Sequence, residues 1–222
     1  MLTVLGRALL VLAAIPLLLT LAYRWIDPPA TPLMAIRWFG GAAIDHRPVP
    51  LDAVAPALPR AIVASEDNRF CSHHGIDFAA VQEALEEHEE TGRLRGASTV
   101  TMQVARNLFL WPGGGWFRKA LEAPLALAID ALWPKRRVME VYLGIAEWGD
   151  GIFGAEAAAR HHFRKPAARL TRTEAARLAA VLPNPRRWNA AQPTAYIQRR
   201  TATIDRRTDQ LGPDAVACLP AR

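Results

Sequence analysis

A mainly α-helical chain with an N-terminal membrane-spanning helix is the fold class this sequence predicts. Three observations predict it. Apolar residues recur at helical spacing from about Leu58 to Arg207, patterns of strand-like alternation are nearly absent, and the first two dozen residues are almost uninterruptedly apolar.

The N-terminal stretch comes first. No charge lies between Ala8 and Tyr23, and only Arg7 interrupts the apolar residues before it. About twenty such residues in a helix span a hydrocarbon core of ~30 Å. Pro16 is tolerable there, since membrane helices accommodate proline. A cleaved signal peptide is the competing reading, but no small-x-small site precedes Tyr23-Arg24-Trp25. Residues 1–26 are therefore expected to be a retained anchor. Between Asp27 and Pro59 lie Pro28, Pro29, Pro32, Pro48, Pro50, Pro56 and Pro59, so residues 27–50 are expected to be a linker with short extended pieces rather than helices. Residues 51–222 form one domain with its own core.

Within that domain Pro59 suits the first turn of a helix with Leu58, Ile62 and Val63 inward, ending near Glu66. Asp77 can cap the next, in which Phe78, Val81 and Leu85 make an apolar stripe opposite Glu86, Glu87, Glu89 and Glu90. Thr91 to Gly96 reads as a basic loop. From Ser98 to Leu110, Val100, Val104 and Leu108 share one face and Thr99, Gln103 and Arg106 the other. After Trp111-Pro112-Gly113-Gly114-Gly115, helices are expected over about 118–133 and 137–143. Thr171 to Glu174 is a capping box that opens a helix ending at Pro183, and a basic amphipathic helix covers about 194–207.

The formal net charge is +6 and the sequence pI about 10.0. Beside an anchor, that favours acidic lipid headgroups and phosphorylated lipid substrates. Nucleic acid is disfavoured, because no basic-aromatic signature, zinc-ligand spacing or helix-turn-helix cue is present. Cys71 and Cys218 are the only cysteines, which excludes a disulfide scaffold or metal cluster and permits one bridge.

Three clusters carry candidate chemistry. In Ser65-Glu66-Asp67-Asn68-Arg69-Phe70-Cys71-Ser72-His73-His74-Gly75-Ile76-Asp77, Glu66 stands where a helix ends, facing the negative pole of its dipole, a setting that suits a general base. The same residues also read as exposed helix-end acids paired with Arg69. His73 and His74 are adjacent, which favours structural hydrogen bonding over a shared metal. In the run from Gly96 to Leu110, open backbone N–H groups and Arg106 fit a phosphate or sugar hydroxyls, as they fit an ordinary surface helix. Arg118, Lys119 and Glu122 share a helical face and suit a pyrophosphate, or else form an ion-pair ladder. Pro124 implies a helix start near Ala123 or a kink after Glu122.

Taken together, the order and spacing of these clusters resemble the bacterial peptidoglycan glycosyltransferases, glycosyltransferase family 51, over about residues 51–196. The resemblance rests on Glu66-Asp67 with Phe70, His73, Gly75 and Asp77, on Gly96 to Leu110, and on Arg118-Lys119 with Glu122. Glu140 to Leu143, Gly154 to Ala159, Phe163, Lys165 and the stretch from Leu170 to Pro185 extend it, and Glu147 to Gly151 looks most like the monofunctional members. Gly144 stands where the family usually has asparagine, Met102 where glutamine is frequent and Arg106 where lysine is usual.

The resemblance implies a lysozyme-like, two-lobed glycosyltransferase domain. It would polymerise lipid II into β-1,4-linked glycan and release undecaprenyl pyrophosphate, with Glu66 as general base and Glu122 as the second catalytic glutamate. Asp67, Phe70, His73, Ser98, Thr99, Gln103, Arg106, Asn107, Arg118 and Lys119 are the expected substrate-binding residues. A divalent cation, Mg or Mn, is expected at Glu122. The implied setting is a bacterial inner membrane, single-pass, with the catalytic domain on the periplasmic side. Lipid II, the nascent glycan, the membrane and possible division or wall-synthesis proteins are the implied partners. None of the serines Ser65, Ser72 and Ser98 begins a Ser-x-x-Lys motif, so no transpeptidase is expected. A lysozyme-like lytic enzyme and a non-catalytic cell-wall scaffold are the alternatives.

Overall fold

The computed structural model describes residues 2–92 and 96–219, without the side chains of residues 2–5 and 8–13. Helix α1 covers Leu2–Tyr23. Among the described residues no helix is long and apolar enough to cross a membrane; much of the apolar stretch behind the anchor expectation lies outside the described side chains. The Arg93–Arg95 part of the expected basic loop also lies outside them.

The stretch from 27 to 50 is more ordered than its prolines suggest. It contains α2 (Pro32–Phe39) and the short β1 (Asp45–His46). Pro32 sits in the first turn, where its missing N–H costs nothing, and the Thr31 side chain accepts from Met34 N. Proline here opens a helix rather than preventing one.

Helix α3 (Ala57–Glu66) buries Leu58, Ile62 and Val63 completely, each stabilising the fold by ~1.5–3 kcal/mol. Asp77 caps α4 (Phe78–Thr91) by accepting from Ala80 N at 2.9 Å. The expected stripe on α4 is not its core face: Phe78 is 70% and Leu85 54% exposed, and the buried residue is Ala84. Helix α5 (Val100–Phe109) buries Val100, Val104 and Leu108 as expected. Thr99 is its buried N-cap rather than a member of its polar face, accepting from Met102 N and donating to Gly75 O at 2.6 Å.

Helix α6 (Gly115–Leu132) starts earlier than expected and passes through Pro124, which neither begins nor ends it. Next come α7 (Lys135–Ile145), β2 (Glu147–Gly149), β3 (Ile152–Phe153) and α8 (Ala155–Phe163). The strands form one small sheet in the order β1-β3-β2, with β1 parallel and β2 antiparallel to β3. The capping box at Thr171 and Glu174 opens α9 (Arg172–Val181), and α10 is Ala195–Gln210.

Two helix groups meet at the site. Helices α3, α9 and α10 pack on one another, and α5 packs on α6 and α7. A Cys71–Cys218 disulfide, with 5.5 Å between the Cα atoms, ties the C-terminal segment to the turn after α3. Gly75, at φ +77°, passes so close to α6 that a Cβ would stand 2.8 Å from Ala126 O.

Candidate active site

Glu66 is the last residue of α3, and its side chain is 16% exposed. The apolar face of α3 anchors the helix in the core and delivers the carboxylate to the boundary between the two helix groups. Gln103 of α5 donates from Nε2 to Glu66 Oε2 at 3.0 Å. Tyr142 of α7 donates from its hydroxyl to Gln103 Oε1 at 3.3 Å. Burial, and then the Glu66 charge, push the Tyr142 phenol well above its ordinary pKa, so it stays a donor. Arg200 of α10 places Nη2 3.8 Å from Glu66 Oε1 while its Nε donates to Ala180 O.

Asp67 does different work. Its buried carboxylate accepts from His73 Nε2 at 3.0 and 2.9 Å and from Val100 N at 2.9 Å. A carboxylate at the N-terminus of α5 complements the helix dipole, so Asp67 joins α3 to α5. Lys135 Nζ lies 3.4 Å from His73 Nδ1, 2.7 Å from Asp130 and 4.9 Å from the centre of the Phe70 ring. Phe70 is 0% exposed. Phe70 and His73, expected to touch substrate, instead form the joint behind Glu66, because their side chains are needed to close the core.

A cleft of about 400 Å³ opens beside Glu66. Besides Glu66, its polar lining is Ser98, Gln103, Arg106, Asn107, Arg118, Tyr142, Arg37 and Glu147, and Leu110, Trp111 and Leu182 are among its apolar walls. Arg37 is held by Glu147 through two hydrogen bonds of 2.7 and 2.8 Å, which raise its pKa and fix α2 against the cleft. Burial and the neighbouring charge of Arg106 lower the pKa of Arg118. Two guanidiniums that repel one another across an open cleft make a receptor for an anion with more than one charge. A second cleft, about 480 Å³, shares Glu66 and Ser98 with the first and is lined also by Asp67, Asn68, Asp77, Thr99 and Arg207. Thr99 reaches this wall from its buried cap position.

The third cluster divides. Arg118 lines the cleft and pairs with Glu122 one turn on. Glu122 is 2% exposed and does not line the cleft, and Lys119 is exposed outside it. Among the described residues no three His, Cys, Asp or Glu side chains come together as metal ligands, and His74 lies near Asp130 rather than beside His73. Glu122, a single buried carboxylate already engaged by Arg118, does not by itself fit a resident metal ion.

Tyr142, Arg200 and Arg37 were not expected at the site. A lone tyrosine hydroxyl within an apolar helix face signals a buried partner, and the basic phase of α10 signals Arg200. Nothing in the sequence around Arg37 marks its pairing with Glu147, 110 residues away.

Comparison with known proteins shows the family. The family model described as transglycosylase matches residues 34–208. A biosynthetic peptidoglycan transglycosylase of Rhodospirillum centenum is 60% identical, covering 96% of this chain and 94% of that protein. The protein of that name from Caulobacter vibrioides is 47% identical, covering 94% and 91%, and that of Xanthomonas campestris pv. campestris is 50% identical, covering 91% and 85%. With a family match over most of its length and relatives that align nearly end to end, the chain belongs to the transglycosylase family.

Proposed function

We propose that this protein is a peptidoglycan glycosyltransferase that polymerises lipid II into β-1,4-linked glycan strands, with Glu66 as general base in an inverting displacement. The observation that carries this reading is that Glu66 forms a wall common to two clefts, one of which also holds Arg106 and Arg118. The names of the relatives support it, as does a lysozyme-like, two-lobed reading of the helix groups.

In the proposed reaction Glu66 takes the proton from the 4-hydroxyl of an acceptor saccharide in the second cleft. That oxygen attacks the anomeric carbon of the growing chain, whose bond to pyrophosphate breaks, and undecaprenyl pyrophosphate leaves with the electron pair. Arg106 and Arg118 stabilise the charge that develops on the leaving phosphates, and Lys119 adds positive potential from the rim. Ser98 and Asn107 orient saccharide hydroxyls. Gln103 holds Glu66 Oε2, while Oε1 carries no hydrogen bond among the described residues and is the atom that accepts the proton. Glu122 acts by holding Arg118. A divalent cation, Mg or Mn, is proposed only as a companion of the substrate's phosphates, and no step passes through it.

In this proposal α1 crosses the inner membrane once and keeps the cleft on the periplasmic side, where the lipid tail of the substrate never leaves the bilayer. A hydrolytic enzyme would have no use for two guanidiniums aimed at a leaving group, which favours polymerisation over lysis. The test is to incubate the purified chain with lipid II and look for polymer that a muramidase digests. A positioned base contributes ~10²–10⁴-fold in rate, so Glu66→Gln should lose at least that much. No polymer under conditions that support a related enzyme would sink the reading.

A further inference from the structure

Apart from Arg200, which stands beside Glu66, one strongly basic face takes no part in the chemistry at that residue. On α10, Tyr196, Arg199, Arg200, Thr203 and Arg207 recur at intervals of three and four residues, which puts them on one side of the helix. With Ser65 they line a groove of about 290 Å³. Ser65 and Arg207 also belong to the wall of the second cleft, so the groove continues into the space that ends at Glu66.

The acids of α10 do not neutralise this face. Asp205 and Asp209 both pair with Arg172, at 2.5 and 2.6 Å. Arg199 and Arg207 are exposed, and neither forms an ion pair among the described residues. Tyr196, half exposed, rests against Trp188 with 5.5 Å between ring centroids and offers an aromatic surface at the end of the groove.

We propose that this groove is a binding site for the carboxylate-bearing peptide carried by the saccharide substrate, held by Arg199 and Arg207. The inference rests on the substrate reading given above and extends it to a part of the substrate remote from the reacting atoms. Guanidinium forks match carboxylates, and an aromatic face accepts the apolar side of a peptide or sugar. The groove begins at Ser65, next to Glu66, and so lies within reach of a peptide attached to a saccharide that reacts there. An anionic lipid headgroup is the less fitting occupant, because α10 packs on α9 and α3 whereas α1 packs on α6.

The probe is the water-soluble disaccharide-pentapeptide, without lipid or pyrophosphate, titrated onto the detergent-solubilised full chain. Beside it runs the same compound with its peptide carboxylates converted to amides. The acid form should bind about tenfold more tightly than the amide, the scale of a single charge-assisted hydrogen bond. R199A/R207A should bind both forms equally, as weakly as the unaltered chain binds the amide, and R199K/R207K should recover part of the preference. Equal binding of the two forms to the unaltered chain overturns the site, as does undiminished preference in R199A/R207A. So does a result in which R199A/R207A loses binding to anionic lipid vesicles but keeps its preference for the probe. Because the probe cannot be polymerised, a chain that shows this preference yet makes no glycan would refute the proposed reaction and leave the site standing.

Discussion

Glu66 decides which end of the Gln103 amide it meets, and Tyr142 holds the amide there. The ionised carboxylate can only accept, so it takes the amide nitrogen at 3.0 Å and leaves Gln103 Oε1 to accept from the buried Tyr142 hydroxyl at 3.3 Å. With the amide turned over, two oxygens would face one another and the carboxylate would lose its only hydrogen bond among the described residues. Tyr142 is therefore a positioning residue for Glu66. Tyr142→Phe removes one hydrogen bond of ~1 kcal/mol, and kcat should fall roughly fivefold to tenfold with KM within about twofold. Combined with Gln103→Ala, it should cost no more than Gln103→Ala alone, since the two act through one contact. Additive losses in steady-state polymerisation assays would show that Tyr142 acts through packing instead.

What was legible in the sequence was what short-range physics governs. The capping box at Thr171, the cap at Asp77 and the buried face of α5 depend on residues within a turn or two, and each is found as expected. The contacts that complete the site are long-range. Glu66 meets Gln103 across 37 residues, Gln103 meets Tyr142 across 39, and Arg37 meets Glu147 across 110. No periodicity encodes such pairs. Thr99, a buried cap that still reaches the second cleft, and Phe70, wholly enclosed in the core, show a related limit of sequence pattern: a motif tells which residues a site needs, not whether they face the ligand or hold the residue that does.

Acid should destabilise the fold through one half-buried histidine, His46, and one buried one, His162. Burial is the largest influence on both His46 and His162 and lowers each below the ordinary value of 6.5, against the opposing pull of the carbonyls of Gly144 and Trp148. The unfolded chain therefore takes up protons first as pH falls. The stability these groups contribute is fully present above pH 6.5, their ordinary value, and is lost as pH falls through the depressed folded values. Urea midpoints should drop between about pH 7 and about pH 5, and His162→Gln should flatten that slope. An unchanged slope in the variant would remove His162 from the account.

The Cys71–Cys218 bridge closes a loop of 147 residues and fastens the segment after α10 beside α3. Replacing both cysteines by serine should cost about 2–5 kcal/mol of stability by constraining the unfolded chain less. Thermal melting of that double variant checks it. Because Cys71 lies five residues from Glu66, activity measured well below the melting transition separates a structural role from a catalytic one. It should fall by less than about threefold, since the bridge acts on the unfolded state more than on the cleft.

Arg118 and Lys119 are neighbours in sequence with different surroundings, and this decides how each should respond to substitution. Arg118 lines the cleft, is held by Glu122 and lies close enough to Arg106 for their charges to oppose one another. Lys119 is exposed and outside the cleft wall. A direct contact to a developing phosphate charge contributes on the order of 3–4 kcal/mol, whereas a screened rim charge contributes about 1 kcal/mol or less. Arg118→Ala should therefore reduce kcat/KM for glycan polymerisation by about 10²–10³-fold. Lys119→Ala should reduce it by less than about tenfold and more weakly as salt is raised. Arg118→Lys should restore charge without the fork that both Glu122 and a phosphate require, and so recover only part of the loss. Glu122→Gln should resemble Arg118→Lys, because it frees Arg118 without discharging it. Equal losses from Arg118→Ala and Lys119→Ala would mean that both cations reach the substrate and that the cleft closes around it.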